Sequence, residues 1–325
     1  MVRDRFLPLA VAAALAAPAA DARAQAAIDP SMVPKALTLA REGRRADATG
    51  MLGRYLATAP ADGRAWLTIG RFYLLDARDW HLGLHEGSPD AGLLIDLAGS
   101  VLDQAVGFDL DSAVIFRGIA EFERTVLRVE ELGWNDARTR TEHAPGVPLP
   151  PFVLELGYNL LNSCPANGIL ATGTDLEALA VWTVGLGAGW RRDVQPFLPS
   201  LYAVDARYRK RMADALGVDE GLTVQQAMAR VAERRPLCLS PMADRAAAPL
   251  GLWTPVRLVL VAGPADQRPP GGVLAVTALL EARQGDLSAW TVEVQEVYAA
   301  AARHNVLLCA GLLGPLGQTV EGCRK

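Results

Sequence analysis

The residue types best suited to chemistry in this chain stand at Asp175 and Glu177, flanked by Thr174 and followed by Trp182. The apolar run Gly168 to Thr172 ahead of them reads as a short buried strand, and Asp175 to Ala188 reads as a nearly wholly apolar helix. Open α/β sheets bind ligands beyond the carboxyl ends of their strands. That makes Thr174, Asp175, Glu177 and Trp182 candidate ligand-binding residues, with Asp175 and Glu177 a candidate acid and base toward a carbohydrate or another uncharged substrate. The same spacing has a structural meaning. Thr174-x-x-Glu177 is a capping box, and an acid in the first helical turn complements the helix dipole. Acids at a helix start also repel phosphates, which argues against a nucleotide there. The sequence leaves the capping and the catalytic readings both open.

Other constellations carry less. His81 and His85 are spaced to share one helix face and a metal ion, but Gly83 between them and Gly87-Ser88-Pro89 after them favour a loop. No metal site is expected. Gly185-x-Gly187-x-Gly189 ends a helix instead of following a strand, so it reads as a glycine C-cap and not a dinucleotide loop. A phosphate-binding loop and a nucleophile elbow are both missing from the sequence, and no cofactor is expected. Cys164, Cys238, Cys309 and Cys323 lie far apart without C-x-x-C spacing. They read as disulfide partners, in any of three connectivities, or as buried thiols.

The elements that would position the candidate acids alternate between types. Phe152 to Leu161 reads as a helix, Val194 to Tyr202 as an edge or irregular strand because of Pro196 and Pro199, and Asp205 to Leu216 as a helix. Thr223-x-x-Gln226 is a second capping box, opening a helix to Arg234. Pro236 to Ser240 and Pro255 to Ala262 read as two more strands, and helices follow over Val273 to Arg283 and Leu287 to His304. The pattern predicts a small, largely parallel α/β sheet domain over 152–262, then a helical segment over 263–325.

Ile169, Leu170, Thr172, Asp175 and Trp182, with the later Arg192-Asp193-Val194, match a strand-turn-helix segment and its following strand in another protein class. The stretch resembles the C-terminal soluble region of protein O-mannosyltransferase-like membrane proteins. Glu177 replaces an Asp there, and Gly173-Thr174 replaces Asn-Gly. Pro236 to Ser240 and Leu250 to Leu260 are similar to the last strands of that region. The resemblance implies a fold over 152–262 and no activity, because the transferase chemistry belongs to a multi-spanning portion that this sequence lacks.

In the N-terminal half, Trp66-x-x-Ile69-Gly70-x-x-Tyr73 fits the tetratricopeptide pattern W-x-x-L-G-x-x-Y. Ala36 falls one period of about 34 residues before Gly70, while Ala48, Leu52, Tyr55 and Pro60 match the second helix and its closing proline. The chain is thereby similar to tetratricopeptide-repeat proteins over 25–132. Ala98, Leu102 and Ala105 resume the signature after an insertion of about 16 residues relative to that period, over Asp79 to Asp96. A weaker third repeat, with Phe116, Ile119 and Ala120, runs to about Leu132. Gly133 to Pro151 loses periodicity, ends in a proline-rich stretch and reads as a linker.

Residues 1–24 read as a signal peptide: a charged start, the apolar run Phe6 to Ala20 and the small-x-small site Ala22-Arg23-Ala24. The run falls short of the roughly 20 residues that span a bilayer. The expected mature chain has no membrane span and a periplasmic or secreted location. The 51% hydrophobic and 21% charged content is globular. A formal charge of −4, with Arg207, Arg209, Lys210 and Arg211 reading as a solvated helix face, gives no footprint for nucleic acid. The sequence therefore predicts an α plus α/β protein whose repeats bind a protein or peptide partner, with an extracytoplasmic enzyme as the alternative.

Overall fold

The computed structural model describes residues 28–81, 90–108, 110–141, 146–245, 253–264, 274–285, 288–305 and 307–309. The expected signal peptide, His85 and Cys323 lie outside the described residues. What is described is mostly helical, thirteen α-helices with one five-stranded mixed sheet.

Five helices come first: α1 (Met32–Arg41), α2 (Arg45–Leu56), α3 (Gly63–His81), α4 (Ala91–Val106) and α5 (Asp111–Leu132), each packed on the next. Small residues sit where they cross. Ala36, Ala48 and Ala98 are fully buried, and a Cβ on Gly70 would lie 2.5 Å from Leu102 Cγ. Trp66 is held at the interface by its indole N–H, which donates to the Pro60 carbonyl at 2.9 Å. At the expected insertion, α3 runs on to His81 and α4 begins at Ala91, where Asp90 accepts from Leu93 N–H. The described ends of that segment thus lengthen two helices.

The stretch expected to be a linker holds a helix instead, α6 (Trp134–Thr141). Gly133, at φ +85°, breaks α5 and lets the chain turn. Trp134 and Ala137 are the two apolar residues that anchor α6, with Thr141 also buried, so its periodicity is faint. Beyond it, Leu149 is buried close to Gly118 of α5, where a Cβ would lie 2.5 Å from its Cδ2. One continuous core runs from Leu74 and Ile115 through Leu149 and Leu170 to Tyr298, crossing the expected boundary.

The remaining elements are α7 (Pro151–Ser163), β1 (Ile169–Ala171), α8 (Asp175–Trp182), β2 (Gln195–Phe197), α9 (Pro199–Val204), α10 (Ala206–Leu216), α11 (Val224–Ala232), β3 (Leu237–Leu239), β4 (Thr254–Val256), β5 (Val259–Ala262), α12 (Thr277–Gln284) and α13 (Ala289–Ala302). A π-helical turn, Thr183–Gly187, extends α8. Sheet order is β2-β1-β3-β5-β4. Strand β1 pairs in parallel with β2 and β3, but β5 runs antiparallel to both β3 and β4, so the sheet is mixed and not largely parallel. The cause is a hairpin within the segment expected to be one strand. Arg257 takes φ +50° at the turn, its guanidinium donating to the Asn162 carbonyl and its own carbonyl accepting from Asn305. Pro196 and Pro255 fall on the two edge strands, where a missing N–H breaks no ladder. Pro199 ends the expected long β2 by starting α9. Helices α12 and α13 pack on α7, and Trp290 of α13 reaches α5, stacking edge-on against Phe116 and donating to Ser112.

Candidate functional site

Strands β2 and β3 flank β1 on opposite sides, so the chain reverses its direction of travel across the sheet between β1 and β3. Such a switch point is where open α/β sheets leave a crevice for a ligand. The loops that border it are Thr172–Thr174 and Ser240–Ala243, and the sequence places Glu177 one helical turn behind the first.

The Glu177 carboxylate fills that crevice. Its Oε2 accepts from Gly173 N–H at 2.9 Å, Thr174 N–H at 3.2 Å and Ser240 Oγ at 2.7 Å, and its Oε1 accepts from Met242 N–H at 3.1 Å. Thr174 Oγ1 accepts in return from Glu177 N–H, completing the capping box that the T-x-x-E spacing implies. Glu177 is fully buried, which pushes its carboxyl above the usual range against the opposing pull of the four hydrogen bonds. The 240–243 turn closes over the site, since a Cβ on Gly173 would overlap the backbone of Met242 and Ala243.

Asp175 points elsewhere. Its side chain is half exposed and pairs with Arg78 Nη1 of α3 at 2.6 Å, while Arg78 Nε donates to Glu123 of α5 at 2.8 Å. Burial alone would lower the Arg78 guanidinium, but the Glu123 and Asp175 charges outweigh it and hold the group firmly protonated. Trp182 is buried, its ring edge-on to Phe122 at 5.4 Å and to Trp134 at 5.8 Å. A small pocket of about 50 Å³ beside it is lined by Phe122, Thr125 and Val147. The four candidate residues are therefore sequence neighbours that face three different surroundings: the cap, the α3–α5 helices and the core.

Sequence reasoning did not find Ser240, Arg78 or Glu123, which hold those candidates, nor a second polar cluster among the described residues. There His81 of α3, Glu130 of α5 and Asp205 at the start of α10 bring one ligand-type atom each within 4.8 Å of one another. Burial lowers the His81 imidazole and pushes the Glu130 carboxyl up to about 8, with the Asp205 charge adding to the rise. The available signal was helical: Arg78 and His81 are three apart on α3, Glu123 and Glu130 seven apart on α5, so each pair shares a face. Among the described residues the disulfide Cys164–Cys238 joins the end of α7 to β3, and Cys309 is disulfide-bonded as well.

Comparison with known proteins returns no matching family model, no matching curated protein and no matching solved structure.

Proposed function

We propose that this chain is an exported scaffold or binding protein whose tetratricopeptide-like helices α1–α5 hold a protein or peptide partner, with the sheet region as their support. The observation that carries this reading is the closed switch point. Four donors of the two bordering loops, Gly173 N–H, Thr174 N–H, Ser240 Oγ and Met242 N–H, are already committed to the protein's own Glu177. A catalytic acid and base must both reach one substrate, and Glu177 is buried while Asp175 is tied to Arg78. The enzyme alternative thus loses its support at this turn, and the mannosyltransferase-like resemblance contributes a fold and no chemistry.

A partner surface of suitable character lies on the helices. A groove of about 140 Å³ between α4 and α5 is lined by Asp96, Ser100, Asp103, Arg117, Glu121 and Arg124. Its charges are of both signs and pair across the two helices, Arg117 with Asp103 and Arg124 with Asp96. An extended peptide with polar side chains would exchange those pairs for its own, reaching them from the side of the exposed Asp96 and Asp103. The Cys164–Cys238 disulfide favours an oxidising, extracytoplasmic setting.

The test is a peptide-array screen with the mature chain, followed by affinity measurement for Arg117→Glu and Arg124→Glu. Peptide binding weakened by both substitutions is expected. Turnover of a member of a sugar and peptide panel by wild type, lost in Asp175→Asn with the fold intact, would overturn the reading.

A further inference from the structure

Helix α3 delivers His81 at its last turn, α5 delivers Glu130 near its C-terminus, and Asp205 is the N-cap of α10. These positions come from the helical array and from the sheet region, and they meet in the interior. The His81 and Glu130 side chains are only 4% and 2% exposed. Among the described residues neither His81 Nε2 nor Glu130 Oε1 has a hydrogen-bond partner, although they stand 3.4 Å apart. Asp205 is buried too, and one of its oxygens already accepts from Tyr208 N–H at 2.7 Å.

Two buried polar atoms left unpaired at such a short separation are costly, and native interiors avoid them unless something binds both. We propose that His81 Nε2, Glu130 and Asp205 hold one divalent metal ion of the Zn²⁺ class, which joins the helical array to the sheet region. The 3.4 Å between His81 Nε2 and Glu130 Oε1 fits that ion, and the Asp205 oxygen, within 4.8 Å of both, would draw in on binding. With metal–nitrogen and metal–oxygen bonds of about 2.0–2.2 Å, adjacent ligands of a tetrahedral site stand roughly 3.3–3.5 Å apart. The donors fit as well: one imidazole nitrogen with two carboxylate oxygens suits a borderline cation, and a dication neutralises the two carboxylates.

The neighbouring arginines are engaged by other groups. Arg78 is committed to Glu123 and Asp175, and the Arg207 guanidinium lies 5.2 Å over the ring of Trp80. Glu123 and Glu131 add negative potential at the cluster, against positive potential from Arg207 and Arg78. Three protein ligands leave a fourth position for water, and the burial of His81, Glu130 and Asp205 keeps that position away from bulk solvent, so the ion would tie the elements together.

Untagged full-length protein stripped with a chelator should take up one Zn²⁺ per chain by calorimetry and gain melting temperature, because an ion that binds only the folded state stabilises it. His81→Gln and Glu130→Gln keep side-chain volume and should each weaken binding by at least about tenfold, the lower end of what even indirect ligand partners cost. Co²⁺ soaked into stripped wild type reports the site without any substitution, and the visible bands of a tetrahedral cobalt centre are expected. Absence of stoichiometric uptake, featureless cobalt spectra, or unchanged affinity in both variants would overturn the proposal, the last by placing the ion elsewhere. None of these readouts depends on a peptide partner, so failure here leaves the binding reading of the helices untouched.

Discussion

Glu177→Gln separates an anchoring carboxylate from a catalytic one. The substitution preserves size and shape but turns one acceptor oxygen into an N–H₂ group. If the amide oxygen keeps the place of Oε2, with its three donors, the new N–H₂ faces Met242 N–H, which approaches Oε1 at 3.1 Å. One hydrogen bond of about 0.5–1.5 kcal/mol is lost, and a buried donor left facing another donor costs about 1–3 kcal/mol more. The expected destabilisation is about 2–4 kcal/mol. The flipped orientation orphans three donors and is worse, so this is the lower branch. Glu177→Ala, which strands all four donors, should exceed it. Urea denaturation followed by circular dichroism measures the change, and an unaltered slope with denaturant would show that the loss is in stability and not in compactness. Catalytic groups held for function can usually be replaced isosterically at little or no cost in stability. A Glu177→Gln protein within about 0.5 kcal/mol of wild type would therefore refute the anchoring argument.

Loop-closure entropy assigns the Cys164–Cys238 bond, across a separation of 74 residues, about 4 kcal/mol of stability; a Cys164→Ala/Cys238→Ala double variant that loses less than about 1 kcal/mol by denaturant titration would contradict it. Gly70→Leu drives a side chain into Leu102, whose Cγ already stands 2.5 Å from where a Cβ would be; a cost of about 1–3 kcal/mol is expected, read as a lowered melting temperature. Thr174→Ala removes the cap on Glu177 N–H and should cost about 1 kcal/mol with α8 retained by circular dichroism. The hydrogen bond from Arg191 holds the Asp193 carboxyl below its ordinary range against a smaller effect of burial. A group with a depressed folded-state pKa contributes stability above its unfolded value and loses it as pH falls through the folded one. Wild type should therefore show an acid limb below the usual aspartate range that Asp193→Asn flattens, by under about 1 kcal/mol because the carboxylate is one-third exposed.

What was legible in the sequence was what is decided locally. The caps at Thr174 and Thr223 form because a hydroxyl and a side-chain acceptor three residues on satisfy orphan amides without outside help. The small residues Ala36, Ala48, Gly70 and Ala98 announced close helix crossings because nothing larger fits there. Features that depend on distant partners were not legible. Arg257 makes its turn without Gly or Asn, held by Asn162 and Asn305 from other elements. Helix α6 rests on Trp134, whose ring meets Trp182 nearly fifty positions along the chain. Cys164 finds Cys238 through the parallel pairing of β1 with β3. The polar cluster at His81 depends on three helices meeting, and the i+4 spacing to His85 pointed along the chain when its partners lie across it.

The switch point shows why residue type and topology together still fall short of a binding site. A ligand at the carboxyl end of β1 needs free donors, and the two loops bordering β1 and β3 do present four of them inward. An incoming anion would have to expel Glu177, leaving a carboxylate in the protein interior with no donors, a penalty larger than a few new hydrogen bonds return. An uncharged substrate fares no better, since the 240–243 backbone already occupies the space beside Gly173. The carboxylate is thus the molecule's own occupant of the crevice, and it couples α8 to β3 as a ligand would have done. Under the proposed binding role, recognition would fall to polar groups with solvent-exposed partners, and the arginines of α5 paired with Asp96 and Asp103 of α4 are such groups. Substitution of the exposed acids Asp96 and Asp103 should change what is bound and leave stability nearly untouched, the converse of what Glu177 should do.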